Sequence, residues 1–290
     1  MAAVLYLLRY GEIAIKSPKV RDRFELRLVE NLKSMLAKER IDCILKRDRG
    51  RIFVSVNDDE RSKSRTVSAI TRTFGIVSFS PVRECASKID AISALAVEMA
   101  SGWTSCTFAI RPRRAGTHPY TSRDLAVAVG RAIQDSAGKR SLDVDLDKPD
   151  HELHIEVRDA RGFLFEEIVP GPGGLPVGSQ GRVGAVLASE ADAAAALLTL
   201  KRGCALSVCG QERLARMLER WAPLVKRVPA EHGRERDRLL RRGAEAIVSG
   251  EREPVSPAGE REARVLLIQP LVGLSESEID SIIATLKSPP

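Results

Sequence analysis

Three arginines stand close together at Arg111, Arg113 and Arg114, inside the run Phe108-Ala-Ile-Arg-Pro-Arg-Arg-Ala-Gly-Thr-His-Pro-Tyr120. Guanidinium groups are planar, stay charged at any working pH and donate bidentately, so a cluster at a strand end before a Gly/Pro loop suits phosphate. A solvated loop is the competing reading. The remaining chemistry-bearing residues are sparser. His118, His151, His154 and His232 lie far apart, with no Cys or carboxylate at metal-ligand spacing,. Asp143, Asp145, Asp147 and Asp150 lack the glycine of a calcium loop and read as a solvated acidic edge,. Cys204 and Cys209 do not form a Cys-x-x-Cys pair and read as small core residues,. Arg234, Arg236, Arg238, Arg241 and Arg242 are interleaved with Glu231, Glu235 and Asp237, which would partly neutralise them on a helix,. No Gly-x-Ser-x-Gly nucleophile elbow occurs,.

Charge places the arginine cluster in context. The chain has 290 residues and a net charge of +7, but residues 61–140 carry 13 basic and 5 acidic residues, whereas 141–168 are acidic. A basic excess of that density points to an anionic partner. Only 4% of residues are aromatic, which leaves little for base stacking,. No run of about 18 apolar residues is present. The first apolar stretch is broken at Arg9 and has no basic leader, so no membrane partner and a cytoplasmic location are expected,. Five cysteines, an odd number, fit reduced thiols,.

Periodicity then supplies the elements. Residues 1–8 read as a strand, and Val20, Phe24, Leu28, Leu32, Met35 and Leu36 recur at helical spacing,. Ile41 to Leu45 and Ile52 to Val56 form a hairpin around Gly50; a helix near 60–73 and a strand at 76–82 follow,. The order βαββαβ closes as a ferredoxin-like sheet. A second α/β unit spans about 87–168. In it Ser122 is the expected N-cap of a helix through Leu125, Val129 and Ile133, and Leu153 to Phe165 reads as a hairpin turning at Asp159 to Gly162,. The Pro/Gly-rich run from Val169 marks a boundary. Beyond it, strands near Gly184 to Ala188, Ala205 to Val208, Ala244 to Val248 and Ala263 to Ile268 imply a parallel sheet with crossover helices; Asp192 to Leu200 is one such helix, and 211–242 is helical in composition,.

Several segments together resemble the tRNA 4-thiouridine synthase (tRNA sulfurtransferase) family. They are Arg9-Tyr-Gly-Glu12 with Lys16, Phe74 to Pro81, Arg113-Arg114 before Pro119, Val144 to Leu146 with Pro149-Asp150, Gly173 to Gly178, Leu200 to Gly203 and Gln269 to Leu274. The resemblance implies a fold of α/β class with an α+β N-terminal half. It assigns 1–60 to a ferredoxin-like domain whose sheet is completed by 61–84. Residues 61–168 become a THUMP RNA-binding domain, and 169–290 a truncated PP-loop adenylating-type domain. It also makes Arg9, Lys16, Arg111, Arg113, Arg114 and Arg123 the candidate RNA contacts.

The third domain departs from the family pattern. Members carry a Ser-Gly-Gly-x-Asp-Ser loop whose backbone N–H groups wrap pyrophosphate at a helix N-terminus. Here Leu187-Ala-Ser-Glu-Ala-Asp-Ala193 stands in its place, shorter and without either glycine. Glu190 would put a negative charge beside phosphate, at a cost on the order of 1–4 kcal/mol at 4 Å. A later Gly-Glu motif survives only as Gly250-Glu251 before a proline-containing run, and no Cys follows Cys209. Leu187, Ser189, Asp192 and Gly250 are the remnant nucleotide-site candidates.

The expectation is a tRNA-binding protein whose ATP-dependent uridine activation is weak or lost, presenting tRNA to a sulfur-carrier or modification-enzyme partner or competing for it. No cofactor is required by the residues themselves; ATP with Mg²⁺ would be the cofactor if the remnant site works. Two alternatives stand beside this: an active ATP-dependent tRNA sulfurtransferase with sulfur supplied in trans, and a non-catalytic structural or interaction subunit. A homodimer stays open.

Overall fold

The computed structural model describes residues 3–48, 50–254 and 266–288, in two compact units. The first unit comprises residues 1–4, 8–79 and 170–290, and the second residues 5–7 and 80–169. Among the described residues no helix is long and apolar enough to cross a membrane.

The chain begins with β1 (Ala3–Tyr10), α1 (Pro18–Lys38), β2 (Cys43–Asp48), β3 (Arg51–Asn57), α2 (Glu60–Thr71) and β4 (Ile76–Ala86). Their sheet order, β2-β3-β1-β4, is the ferredoxin-like closure that the element order predicts,. Pro18 sits in the first turn of α1, where its missing N–H costs nothing, and the helix buries Phe24, Leu28, Leu32, Met35 and Leu36 along one stripe,. Gly50 takes φ 84° at the β2–β3 turn, a conformation that Cβ-bearing residues avoid,.

The second unit continues with α3 (Ile89–Ala100), β5 (Cys106–Ala115), α4 (Ser122–Asp135), β6 (Leu142–Val144), β7 (His151–Arg158) and β8 (Arg161–Phe165). Its strands are ordered β4-β8-β7-β5-β6, with β5 parallel to β6 and β7, and β8 antiparallel to β4 and β7. Phe108, Ile110, Leu153, Ile155 and Val157 face Ile92, Ala96, Leu125, Val129 and Ile133 of the two helices in one core.

Two expectations need correction here. The N-cap of α4 is Thr121, not Ser122: Thr121 accepts from the Asp124 N–H at 3.1 Å and the Asp124 carboxylate accepts from the Thr121 N–H at 2.8 Å. That reciprocal box needs a three-residue spacing, which Ser122 cannot supply with Asp124. The β7–β8 turn is made by Asp159, at φ 48°, with Ala160, while Gly162 lies within β8 against Cys85 and Ile92. Aspartate tolerates the left-handed region, so the glycine serves close packing instead.

After β9 (Val169–Pro170), which pairs with β4, come β10 (Arg182–Leu187), α5 (Glu190–Lys201), β11 (Ala205–Gly210), α6 (Glu212–Glu219), β12 (Lys226–Arg227), α7 (Glu235–Arg241), β13 (Ala246–Val248), β14 (Leu266–Ile268) and α8 (Glu276–Lys287). The five strands β10 to β14 form a parallel sheet ordered β12-β11-β10-β13-β14. Residues 211–242, which read as helical in composition, divide into α6, β12 and α7, because Pro223, Pro229 and Gly233 interrupt them,. Residues 263–265 of the expected last strand, and Val255-Ser-Pro257, lie outside the described residues.

Residues 170–290 do not stand apart from the ferredoxin-like part. Phe74 stacks on Trp221 with centroids 5.4 Å apart, and both rings are buried. Arg72 donates to Glu39 at 2.6 Å and to the Arg220 carbonyl at 3.3 Å, while Asn31 donates to the Val177 carbonyl at 3.0 Å.

Candidate functional site

Strand alternation separates the arginine cluster. Arg111 and Arg113 share one face of β5, and Arg114 points to the other, where Phe108 and Ile110 meet the helices,. Arg111 is engaged within the chain: its Nε donates to Glu152 Oε1 at 2.8 Å and its terminal nitrogen to the Leu146 carbonyl at 2.8 Å. Arg114 donates to Ser122 Oγ at 3.2 Å and lies 5.7 Å from the Tyr120 ring centroid, a cation–π contact,. Arg113 and Arg123 are exposed, and among the described residues neither side chain makes a hydrogen bond or ion pair.

The loop that follows this cluster is fastened at several points. Tyr120 donates its hydroxyl to the Ser87 carbonyl, His118 Nε2 meets the Asp159 carbonyl at 2.9 Å, and the His118 and Tyr120 rings are 5.6 Å apart. Burial pushes the Tyr120 hydroxyl pKa up. Gly116 takes φ 98°, and a Cβ there would lie 3.0 Å from Asp159 Oδ1. The result is a pinned platform: Arg113 and Arg123 project from it, with Arg114 held at its base. Such pre-ordering lowers the entropy lost when phosphate binds. The fastening roles of His118 and Tyr120 and the capping role of Thr121 lie outside the expectations above, although the Thr-x-x-Asp spacing signals the last.

Arg9 and Lys16 belong to the first unit. Arg9 is half-buried on β1. Lys16 is half-buried in the turn after β1, whose carbonyls at Ala14 and Lys16 accept from Arg21 at 2.5 and 3.3 Å.

The parallel sheet has its own crevice. β10 is flanked by β11 on one side and β13 on the other, so the strand order reverses between β10 and β13, the place where such sheets hold ligands beyond their C-terminal ends,. Here an internal carboxylate fills it. Asp192 Oδ2 accepts from the Ala188 N–H at 3.1 Å, the Ser189 N–H at 2.9 Å and Ser189 Oγ at 2.9 Å, and Oδ1 accepts from the Gly250 N–H at 3.0 Å. Ser189 and Asp192 also complete a capping box on α5,. Gly250 presses so closely on the helix start that a Cβ would sit 2.4 Å from Asp192 N and 2.5 Å from Ala191 C.

Three of the four remnant candidates therefore meet, and Leu187 is engaged elsewhere. Ser189, Asp192 and Gly250 share one set of bonds, and the carbonyl of buried Leu187 accepts from the Gln211 N–H at 2.9 Å. Glu190 differs from its expected role. It turns to Lys287 at 2.7 Å and Arg213 at 3.1 Å, which hold its carboxyl below the usual range, Lys287 contributing most. The negative charge on the cradle amides is Asp192's instead, because its side chain is one short link from the amides while Glu190 has two cations within reach.

Comparison with known proteins places the N-terminal half. Residues 5–80 match the model of the ThiI ferredoxin-like domain and residues 86–165 that of the THUMP domain. A probable tRNA sulfurtransferase of Methanothermobacter thermautotrophicus is 38% identical over 206 residues, 68% of this chain and 50% of that protein. One from Methanosarcina acetivorans is 33% identical over 237 residues, covering 75% and 56%. The chain thus spans about half the length of the curated relatives it matches. The crystal structure of PH1313 from Pyrococcus horikoshii superposes with a TM-score of 0.80 at 28% identity, over 98% of this chain and 100% of that one. A 4-thiouridine synthetase solved with RNA and ATP superposes at 0.75 and 19% identity over 98% and 85%, a likeness of fold.

Proposed function

The first two domains of this chain belong to the ThiI ferredoxin-like and THUMP families and the chain resembles the tRNA sulfurtransferases; from that premise we propose a cytoplasmic tRNA-binding protein with weak or absent ATP-dependent uridine activation. The observation that carries the second half is the Asp192 carboxylate. It accepts from the Ala188, Ser189 and Gly250 amides, donors of the kind that a nucleotide phosphate would need at a helix N-terminus,. A bound phosphate would have to displace this carboxylate and then sit beside its charge, which costs ten-fold or more in affinity. RNA binding is supported by the THUMP match and by Arg113 and Arg123, exposed on β5 and α4 at either side of a fastened loop. Bound tRNA would be presented to, or withheld from, a sulfur-carrier or modification-enzyme partner.

The test has two arms. Filter binding of tRNA at two salt concentrations is expected to show salt-dependent association. Titration with ATP and Mg²⁺ at millimolar concentration is expected to show no tight saturable site and no pyrophosphate release on adding tRNA. Tight ATP binding with tRNA-stimulated pyrophosphate release would overturn the loss of activation and favour the active sulfurtransferase, the reading suggested by the relatives' names. Absence of tRNA binding would leave only the structural-subunit reading.

A further inference from the structure

We propose that a cationic cleft at the N-terminal edge of the parallel sheet, opposite the crevice closed by Asp192, is a binding site for phosphate groups. β10, β11 and β12 begin at Arg182, Ala205 and Lys226, and beneath these strand starts lies a cleft of about 390 Å³. Arg182, Lys226, Arg242 and, from α1, Arg27 line it, against Glu245 as the single carboxylate among the described residues. The Arg27 side chain lies 3.6 Å from where a Cβ of Gly178 would stand, and Arg182 lies 3.4 Å from the corresponding point of Gly243.

What distinguishes these cations is that they are left over. Elsewhere in the same domain most described arginines are paired, Arg241 being an exception: Arg213 with Glu190, Arg216 with Glu212, Arg238 with Glu231, and Arg227 with both Glu212 and Glu219. Among the described residues Arg182, Lys226 and Arg242 make no ion pair and no side-chain hydrogen bond, while Arg27 meets Glu30 at 3.0 Å. Glu245 is one carboxylate against these cations; among the described residues it makes no ion pair with them, and it accepts from the Arg182 backbone N–H at 3.4 Å. Compensation of helix ends accounts for Arg242, the C-cap of α7, but not for Arg182 and Lys226, which stand on strands,. Like charges gathered in a concave site repel one another until an anion joins them.

The ligand class follows from the lining. Among the described residues no aromatic ring borders the cleft, so none of them there reads a base by stacking,. Arginine forks recognise phosphate oxygens bidentately. The phosphates come either from a compact phosphorylated small molecule or from the backbone of a bound RNA. The Arg-rich stretch of residues 234–242 is thus divided: Arg234 and Arg238 are spent on Glu231, and Arg242 faces the cleft.

Calorimetric titration of the full chain with inorganic pyrophosphate is expected to show one saturable site. The double substitution R182A/R242A should weaken it about a hundredfold, at roughly tenfold or more per lost charged hydrogen-bond donor. R216A/R234A, which removes two paired surface charges of the same domain, should leave it within twofold, and unchanged melting temperatures show that both variants are folded. The second arm measures tRNA affinity against salt. A slope reduced by about two in R182A/R242A assigns the phosphates to RNA; an unchanged slope beside a lost pyrophosphate site assigns them to a free ligand. The absence of both a variant-sensitive pyrophosphate site and a slope change overturns the proposal. The RNA arm rests on the tRNA binding proposed above and the pyrophosphate arm does not, so the two failures are distinguishable.

Discussion

Replacing Asp192 by Ala removes one carboxylate that serves four donors. The Ala188 and Ser189 amides belong to exposed residues, so water recovers most of their bonding, and each is worth about 0.5 kcal/mol,. The Gly250 amide belongs to a buried residue packed against the start of α5 and has no such recourse, which costs about 1–2 kcal/mol,. Losing one half of the α5 capping box adds a few tenths. The total is about 2–3 kcal/mol, which corresponds to a fall in Tm of roughly 5–10 °C for a unit of this size. Asp192→Asn keeps an acceptor oxygen but loses the charge assistance, and should fall about halfway. Urea unfolding checks the stability, and amide hydrogen exchange at Gly250 checks the mechanism, since local opening should speed that exchange about tenfold or more. A D192A variant within 0.5 kcal/mol of the parent, with Gly250 still protected, would refute the claim that this carboxylate closes the crevice.

Gly250→Ala should be at least as damaging, about 3 kcal/mol, because its Cβ would lie 2.4 Å from backbone that cannot move without unwinding α5; urea midpoints would show it,. Phe74→Ala should cost about 3–5 kcal/mol by leaving Trp221 without its stacking partner, and one cooperative urea transition should report the ferredoxin-like part and residues 170–290 together,. Arg113→Ala with Arg123→Ala should weaken tRNA binding and lower its salt slope by about two, whereas Arg111→Ala, its charge already engaged by Glu152, should change the slope by less than one,. Stability should fall on acidification. Glu190, held low by Lys287 and Arg213, and Asp124 and Asp150, held low by the donors of Thr121 and Thr107, have folded pKa values below their unfolded ones. Their contribution is present above about pH 4 and is lost as the pH drops through the folded values, and Glu190→Gln should flatten the acid limb of a Tm-against-pH curve.

Repetition along the chain was enough to read α1 and the β2–β3 hairpin, because a helix shows its buried stripe every three or four residues and a strand every second one. The basic excess of residues 61–140 and the missing glycines near 190 were likewise plain from composition and order. Pairing over distance was not. Asp192 and Gly250 are 58 positions apart in the sequence, and nothing local tells an aspartate in a capping box that it will also receive a distant glycine's amide. Arg111 and Arg113 are indistinguishable by type, yet Glu152 of β7 accepts from Arg111, whereas Glu156, the β7 residue paired with Arg113, is taken by Arg158, so one guanidinium is consumed and the other stays exposed. Ser122 was the expected cap by residue type, but the reciprocal bonds need a spacing of three to Asp124, which Thr121 has. Local periodicity, which is written in the sequence, determined which elements form and where charge is concentrated. Which charges remain available for a partner was decided by the folded chain, because a charge is neutralised only by a group that tertiary structure carries to within about 4 Å of it.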